Sequence, residues 1–246
     1  MPSPFRTTAG SVPVTLALLA ALAGWLPSAR AADLPSGIVL HVDAADHPTG
    51  SVARLADRAA AGREFTQTEE GARPTIVAVG ETKVLRFDGI DDHLRATGTG
   101  RSADSVTLFV VAAPHANRGD FRGLFASNAP GARDYESGLT VDLGPGPTRA
   151  LDQINVEGKG FGGARDLLAS SAPFGTLHLF ETVIDSNAGE IRLTVDGTPE
   201  GSRPFESATL SLDELTLGAR FYTNGPGAQQ VRGSLEGDIA EVLLFD

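Results

Sequence analysis

Short apolar runs recur along this chain roughly every ten to fifteen positions, and Gly, Pro, Asn and Asp separate them. The clearest are Ile38–Val42, Val84–Phe87, Val106–Ala113, Leu124–Ala126, Leu139–Leu143, Ile154–Val156, Leu177–Ile184, Ile191–Val195, Leu210–Leu217 and Ile239–Phe245. Runs this short, with turn residues between them, predict strands of a β-sandwich or barrel. Val106–Ala113 is apolar at nearly every position, which suits a central strand covered on both faces. Ile191–Val195 alternates and then meets Asp196-Gly197, a pair suited to a hairpin turn that needs positive φ at both central residues. One short helix is expected over Val52–Ala60, between Gly50 and Gly62. No internal repeat or long linker interrupts the pattern, so one domain is expected.

The apolar share, 41% of 246 residues, is enough for a packed core and excludes a disordered chain. With 20 basic and 31 acidic side chains the formal charge is −11, which argues against a nucleic-acid partner. The chain has no Cys, so it forms no disulfide and its stability rests on its core. Residues 1–31 read as a cleaved secretory signal peptide: Arg6, then the apolar Val12–Leu26, then Ala29-Arg30-Ala31 as the cleavage site. That apolar stretch contains Pro13 and is shorter than the ~20 residues a spanning helix needs, so no membrane insertion is expected after cleavage. The expected product is residues 32–246, secreted, periplasmic or on the cell surface. Trp25 is the only Trp and lies in the leader, which leaves Tyr135 and Tyr222 as the domain's polar aromatics.

Several motifs then fall in a familiar order. Leu85-Arg86-Phe87-Asp88-Gly89-Ile90-Asp91-Asp92-His93-Leu94 resembles the FDG-x-DD-x-L signature of laminin-G-like jelly-roll domains, within the concanavalin A-like lectin and glucanase superfamily. Val106–Val111 resembles the strand that follows it, and Leu193–Gly197 its V-D-G hairpin. Leu217-Gly218 resembles its "i-G" turn, and Gly237–Asp246 its closing G-x-I-A-E strand. Upstream, Leu55–Asp57 and Thr66 through Pro74 resemble a segment that often precedes such domains, with Leu55 in place of a Trp. The resemblance implies an all-β, antiparallel two-sheet jelly-roll sandwich with at most one short helix. It also implies a glycan or an extracellular or cell-surface protein as partner. Calcium is implied as a possible cofactor, with Asp88, Asp91 and Asp92 as its candidate ligands and Asp134 as a further available acid.

Glu236-Gly237-Asp238-Ile239-Ala240-Glu241 matches the E-x-D-x-x-E spacing of laminarinase-type glycoside hydrolases in that superfamily. On that match Glu236 is the nucleophile and Glu241 the acid/base. A regular strand, however, sends Glu241 to the face opposite Glu236 and Asp238, so the match requires a bulge. The non-catalytic closing strand explains the same letters, and the domain has no Trp to line a sugar cleft. No catalytic residue is therefore assigned, and Glu241 is expected to be a half-buried structural carboxylate on the face of Ile239, Leu243 and Phe245. His178 is expected to pack or to face solvent, and His41, Asp43, Asp46 and His47 match no metal spacing. The loops Asn128–Ser137, Gly144–Arg149, Glu157–Ala164 and Tyr222–Gln230 are where a sandwich binds ligands. Among them, Arg133, Asp134, Tyr135, Tyr222 and Asn224 combine aromatic faces with hydrogen-bonding groups and form the expected glycan site. The expected function is an exported, non-catalytic module that recognises carbohydrate on a cell surface or extracellular polymer. The alternative is a protein-interaction or adhesion module, and a third reading is a laminarinase-type glycoside hydrolase using Glu236 and Glu241.

Overall fold

The computed structural model describes residues 36–60 and 62–246; the leader expected over 1–31 lies outside the described residues. Two large antiparallel sheets pack face to face, and the strand Glu236–Phe245 organises the larger one. One of its edges pairs along its length with Val106–Arg118. Its other edge is divided: Thr82–Asp88 pairs with Glu236 to Ile239, and Ile38–Asp43 pairs with Glu241 to Phe245. The register against Val106–Arg118 shifts between Ile239 and Glu241, where the neighbour on the far edge changes. The sheet continues through His178–Asp185, Glu190–Val195 and Thr198–Pro204 on one side, and through Thr75–Val79 and Gly50–Ser51 on the other.

The smaller sheet runs Asn155–Gly158, Leu139–Asp142, Gly123–Asn128, Glu214–Leu217, Leu94–Ala96, Glu64–Thr66 and Arg54–Ala56. Between the sheets lie Phe65, Phe87, Phe125 and Phe180 with Leu40, Leu55, Leu94 and Leu108, all buried. Burying side chains of this size supplies the main stabilising term, about 1.5–3 kcal/mol for each. Asp196 and Gly197 both have positive φ, 51° and 78°, and close the expected hairpin. Among the described residues no helix is long and apolar enough to cross a membrane.

The helix expected over 52–60 is not formed. Arg54–Ala56 is instead an edge strand of the smaller sheet, with Leu55 opposite Phe65. Val52 and Leu55 have helical spacing, but pairing with Glu64–Thr66 buries Leu55 fully in the inter-sheet core. Beyond the strand, the Asp57 carboxylate accepts from the amides of His41 and Ala59, which fixes a turn. Tertiary pairing thus overrides a weak local preference. Among the described residues the α-helix is one turn, Asp134–Ser137, inside a segment expected to be loop.

Gly218 shows how the closing loops meet the core. Its φ is +74°, and a Cβ there would overlap the Phe87 ring. Both conditions demand glycine. Gly218→Ala is therefore expected to cost about 2 kcal/mol or more in urea unfolding. An unchanged midpoint would show that neither the backbone nor Phe87 is constrained as described.

Candidate functional site

Register places Arg95, Thr216, Ala126, Thr140 and Glu157 in one row across the smaller sheet, with Asp142 opposite Asn155 in the next. The opposite face carries Phe125, Leu139, Val141, Val156, Leu215 and Leu217 in the inter-sheet core. A polar outer face would ordinarily be wet. Here Thr140, Asp142, Asn155 and Thr216 have no exposed surface, because the turn Asp134–Ser137 and the strand Arg220–Tyr222 pack near this face.

Arg220 joins these layers. Its guanidinium donates twice to the Asp134 carboxylate, at 3.0 and 2.8 Å, and once to Asp142 at 3.1 Å. Glu157 lies 3.6 Å away. The rings of Tyr222, Phe121 and Tyr135 surround the same guanidinium at 4.7, 5.0 and 5.6 Å. Asp134 also accepts from the amides of Tyr135 at 2.7 Å and Phe221 at 2.9 Å. Asp142 accepts from Gly144 N and Asn155 Nδ2. Three carboxylates thus share one buried cation. Burial pushes Asp142 up to about 6, against the pull of Arg220.

The two loops expected to bind glycan are brought together. Tyr135 donates its hydroxyl to Asn224 at 3.0 Å, and Arg133 donates to the Thr223 carbonyl at 2.7 Å. Tyr135 and Tyr222 meet edge to face at 6.2 Å. Asp134 and Tyr222, though, are almost wholly buried, at 0% and 2% exposure. Their polar atoms are occupied within the protein: the Tyr222 hydroxyl donates to Asp120 at 3.3 Å, and burial with that carboxylate pushes the phenol up to about 12. These two act from beneath the surface. Arg133, Tyr135 and Asn224 reach it.

A cleft of about 410 Å3 opens beside them, lined by Ile90, Asp91, His93, Asp120, Arg122 and Arg232 among others. Arg122 donates to the carbonyls of Gly119, Gly89 and Ser234, tying three loops together. Asp120 and Phe121 hold φ of 64° and 53°, and their amides donate hydrogen bonds to the carbonyls of Pro145 and Gly144. Non-glycine residues with such φ are strained and persist only where their surroundings hold them. Arg232 lies 5.4 Å over the Tyr222 ring and only 3.9 Å from Asp120. Asp120 and Arg232 therefore both lean on Tyr222, and Tyr222 leans on Arg220. Burial pushes the His93 imidazole down. The sequence reading missed Asp120, Arg122, Arg220 and Arg232. Only Arg220 left a signal: a basic residue within apolar Leu217–Tyr222 must be paired if it is buried.

The carboxylates of Asp88, Asp91 and Asp92 bring ligand oxygens within 4.8 Å of one another, and Asp91 also lines the cleft. Asp88 accepts from the amides of Ile90 and Asp91, and Asp92 accepts from Asp88 N. No Lys or Arg among the described residues pairs with any of the three. Burial and the charges of Asp88 and Asp91 push Asp92 up to about 6. Oxygen donors gathered without a counter-charge fit a hard cation such as calcium. His41, Asp43 and Glu241 also converge, but Arg58 lies 3.1 Å from Asp43 and 3.4 Å from His41 Nε2 and already supplies the charge. Asp46 pairs with the same arginine, and His47 gives its carbonyl to Lys83, so that set does not fit a metal.

On the closing strand, the register shift after Ile239 changes the expected facing of Glu241. Ile239 turns into the core with Val242 and Leu244, while Glu241 lies outward with Leu243 and Phe245. Glu236 and Asp238 pair with Asp88 and Arg86 on that same outer face. The bulge that the E-x-D-x-x-E spacing requires is thus present. Each carboxylate has a basic partner: Arg118 at 2.7 Å for Glu236, Arg86 at 2.8 Å and His115 at 3.1 Å for Asp238, and His41 at 2.8 Å for Glu241.

No protein-family model and no curated protein matches the sequence. Among solved structures, the chain is similar to domain 4 of AbnA, an extracellular GH43 arabinanase from Geobacillus stearothermophilus, in complex with arabinotriose. The TM-score is 0.55 at 12% identity, over 85% of this chain and 92% of that one. An arabinofuranosidase complexed with arabinofuranosyl-alpha-1,2-xylobiose gives 0.55 at 12% identity; the chain covers 56% of its length and 86% of its own. The heptameric SAP-like pentraxin from Limulus polyphemus gives 0.51 at 14% identity, over 68% of this chain and 77% of that one. These likenesses show an all-β sandwich of the jelly-roll kind and do not single out the laminin-G-like family among those that share it.

Removing Arg220 would leave three buried carboxylates without their cation. Arg220→Ala is expected to cost on the order of 3–5 kcal/mol in urea unfolding; a loss under about 1 kcal/mol would contradict the network. Because Asp142 holds its proton more tightly folded than unfolded, its contribution is full below about pH 4 and is lost as pH rises through about 6. Wild type should therefore lose stability relative to Asp142→Asn between those pH values. A difference in midpoint that stays constant with pH would refute the assignment.

Proposed function

We propose that the chain is an exported carbohydrate-binding module whose ligand enters the loop-end cleft. The observation that carries this reading is the lining of that cleft, where Asp91 and Asp120 are opposed by Arg122 and Arg232 beside the apolar Ile90. A sugar presents hydroxyls that donate and accept, together with C–H faces. Carboxylates take the donated hydrogens, guanidinium groups donate to the lone pairs, and an apolar side chain covers the ring face. Tyr135, Arg133 and Asn224 extend this surface along the neighbouring loop. The sandwich fold supports the reading, since two solved structures that share it hold arabinose-containing ligands.

In this proposal Asp88, Asp91 and Asp92 hold a calcium ion that neutralises their turn and fixes Asp91 at the cleft wall. The leader over 1–31 is removed on export, and residues 32–246 act outside the cytoplasm as one domain. The role is binding rather than catalysis, because Glu236, Asp238 and Glu241 are each engaged by a basic side chain. A second reading, a protein-interaction module, draws on Ile90, which is 77% exposed at the rim.

A glycan array in calcium, repeated with chelator, tests the proposal. A specific oligosaccharide should bind, chelation should weaken it, and Asp120→Ala or Arg232→Ala should reduce affinity by about tenfold or more. Tyr135→Ala should have a smaller effect with the fold intact. A blank array from folded protein would favour the protein partner. New reducing ends from a β-glucan, lost in Glu236→Gln, would restore the hydrolase reading.

A further inference from the structure

The strands Arg220–Tyr222 and Gln230–Arg232 form a hairpin whose loop, residues 223–229, is tied at its base. Thr223 N donates to the Gln229 side-chain carbonyl at 2.6 Å, and the Thr223 hydroxyl donates to the Ala228 carbonyl at 3.1 Å. At the tip, Asn224 and Gly225 are exposed, and the Gly225 amide donates to no acceptor among the described residues. The Asn224 side chain is held through one atom. Its Oδ1 accepts from the Tyr135 hydroxyl, while its Nδ2 has no partner among the described residues.

The chain has five Asn, and the other four lack this combination. Asn117, Asn128 and Asn155 are buried. Asn187 is exposed, but the amide that follows it, Ala188 N, donates to the Asp185 carboxylate at 3.0 Å. Only Asn224 is followed by glycine. Without a Cβ, Gly225 lets its nitrogen swing toward the preceding side chain. An amide already donating a hydrogen bond must first break it, and Gly225 N has none to break.

We propose that Asn224 is a site of spontaneous modification, converted through a succinimide to a mixture of aspartate and isoaspartate. Hydroxide takes the proton of the Gly225 amide, and the nitrogen attacks Cγ of Asn224. The new N–Cγ bond closes the succinimide ring while the Cγ–Nδ2 bond breaks. Ammonia leaves with a proton from water, which restores the hydroxide. Water then opens the ring at either carbonyl, giving aspartate by one route and isoaspartate by the other. The reaction consumes only water and changes no oxidation state. Either product replaces an amide that donates and accepts with a carboxylate that only accepts. The isoaspartyl form also carries its backbone through the former side chain, which moves the carboxylate away from the Tyr135 hydroxyl. The assignment does not depend on what binds the loop-end cleft.

Peptide mapping by mass spectrometry provides the test, on the folded full chain incubated at neutral and at mildly alkaline pH. The peptide carrying Asn224 should gain the mass of an amide-to-acid exchange and separate into aspartyl and isoaspartyl forms. Both should accumulate faster at the higher pH. Asn187 should react about tenfold more slowly or less, since its neighbour has a Cβ and a bonded amide. Gly225→Ala should slow the reaction at Asn224 about tenfold. A Cβ at Gly225 meets no other atom within 4 Å, so this variant keeps the fold. Reaction at Asn224 no faster than at Asn187 would overturn the site. A single aspartyl product, or a rate unmoved by Gly225→Ala, would overturn the succinimide route.

Discussion

The loop end of this sandwich depends on one buried guanidinium. Arg220 is bound by carboxylates from the turn Asp134–Ser137 and the strand Leu139–Asp142, with Glu157 of Asn155–Gly158 close by. Desolvating these charges is costly, and a packed apolar cluster of the same volume would serve stability equally well. What the ion network adds is position. A guanidinium with two donors on Asp134 and one on Asp142 admits one arrangement of the covering turn, whereas apolar side chains accept several. The aromatic rings around Arg220 exclude water from the network and are held by it in turn.

From Arg220 the constraint passes outward through Tyr222 to Asp120 and Arg232, and so to the cleft. The left-handed backbone at Asp120 and Phe121 is held by hydrogen bonds to the carbonyls of Pro145 and Gly144, so the cleft wall is preorganised before any ligand arrives. The outer face of the larger sheet contrasts with this. Its Glu236, Asp238 and Glu241 each have a basic side chain as partner, with Asp238 and His41 themselves buried.

Much of the fold was legible because strand period and turn chemistry are local. The Asp196-Gly197 hairpin, the strand over Val106–Ala113 and the closing strand over Ile239–Phe245 follow from short windows, although the two strands run on to Arg118 and back to Glu236. Residues 52–60 misled because Val52 and Leu55 have helical spacing, and only the pairing of Leu55 with Phe65 makes a strand of Arg54–Ala56. The bulge after Ile239 was unreadable for a similar reason, since it coincides with a change of neighbour that the strand itself does not encode. Within the site, Tyr135 and Asn224 could be chosen by residue type, but not their hydrogen bond across 89 positions. The cleft is harder still, because Asp91, Asp120 and Arg232 come from separate loops with no shared motif.

Backbone amide chemical-shift mapping during oligosaccharide titration tests the central claim most directly, because it reports where a glycan sits without presuming which residues matter. The account predicts saturable shifts at residues 89–93, 120–122 and 231–234, with smaller ones at Tyr135 and Asn224. Shifts confined to the outer face of the larger sheet, around Arg86, His115 and Asp238, would contradict it, as would the absence of any shift across a broad oligosaccharide panel.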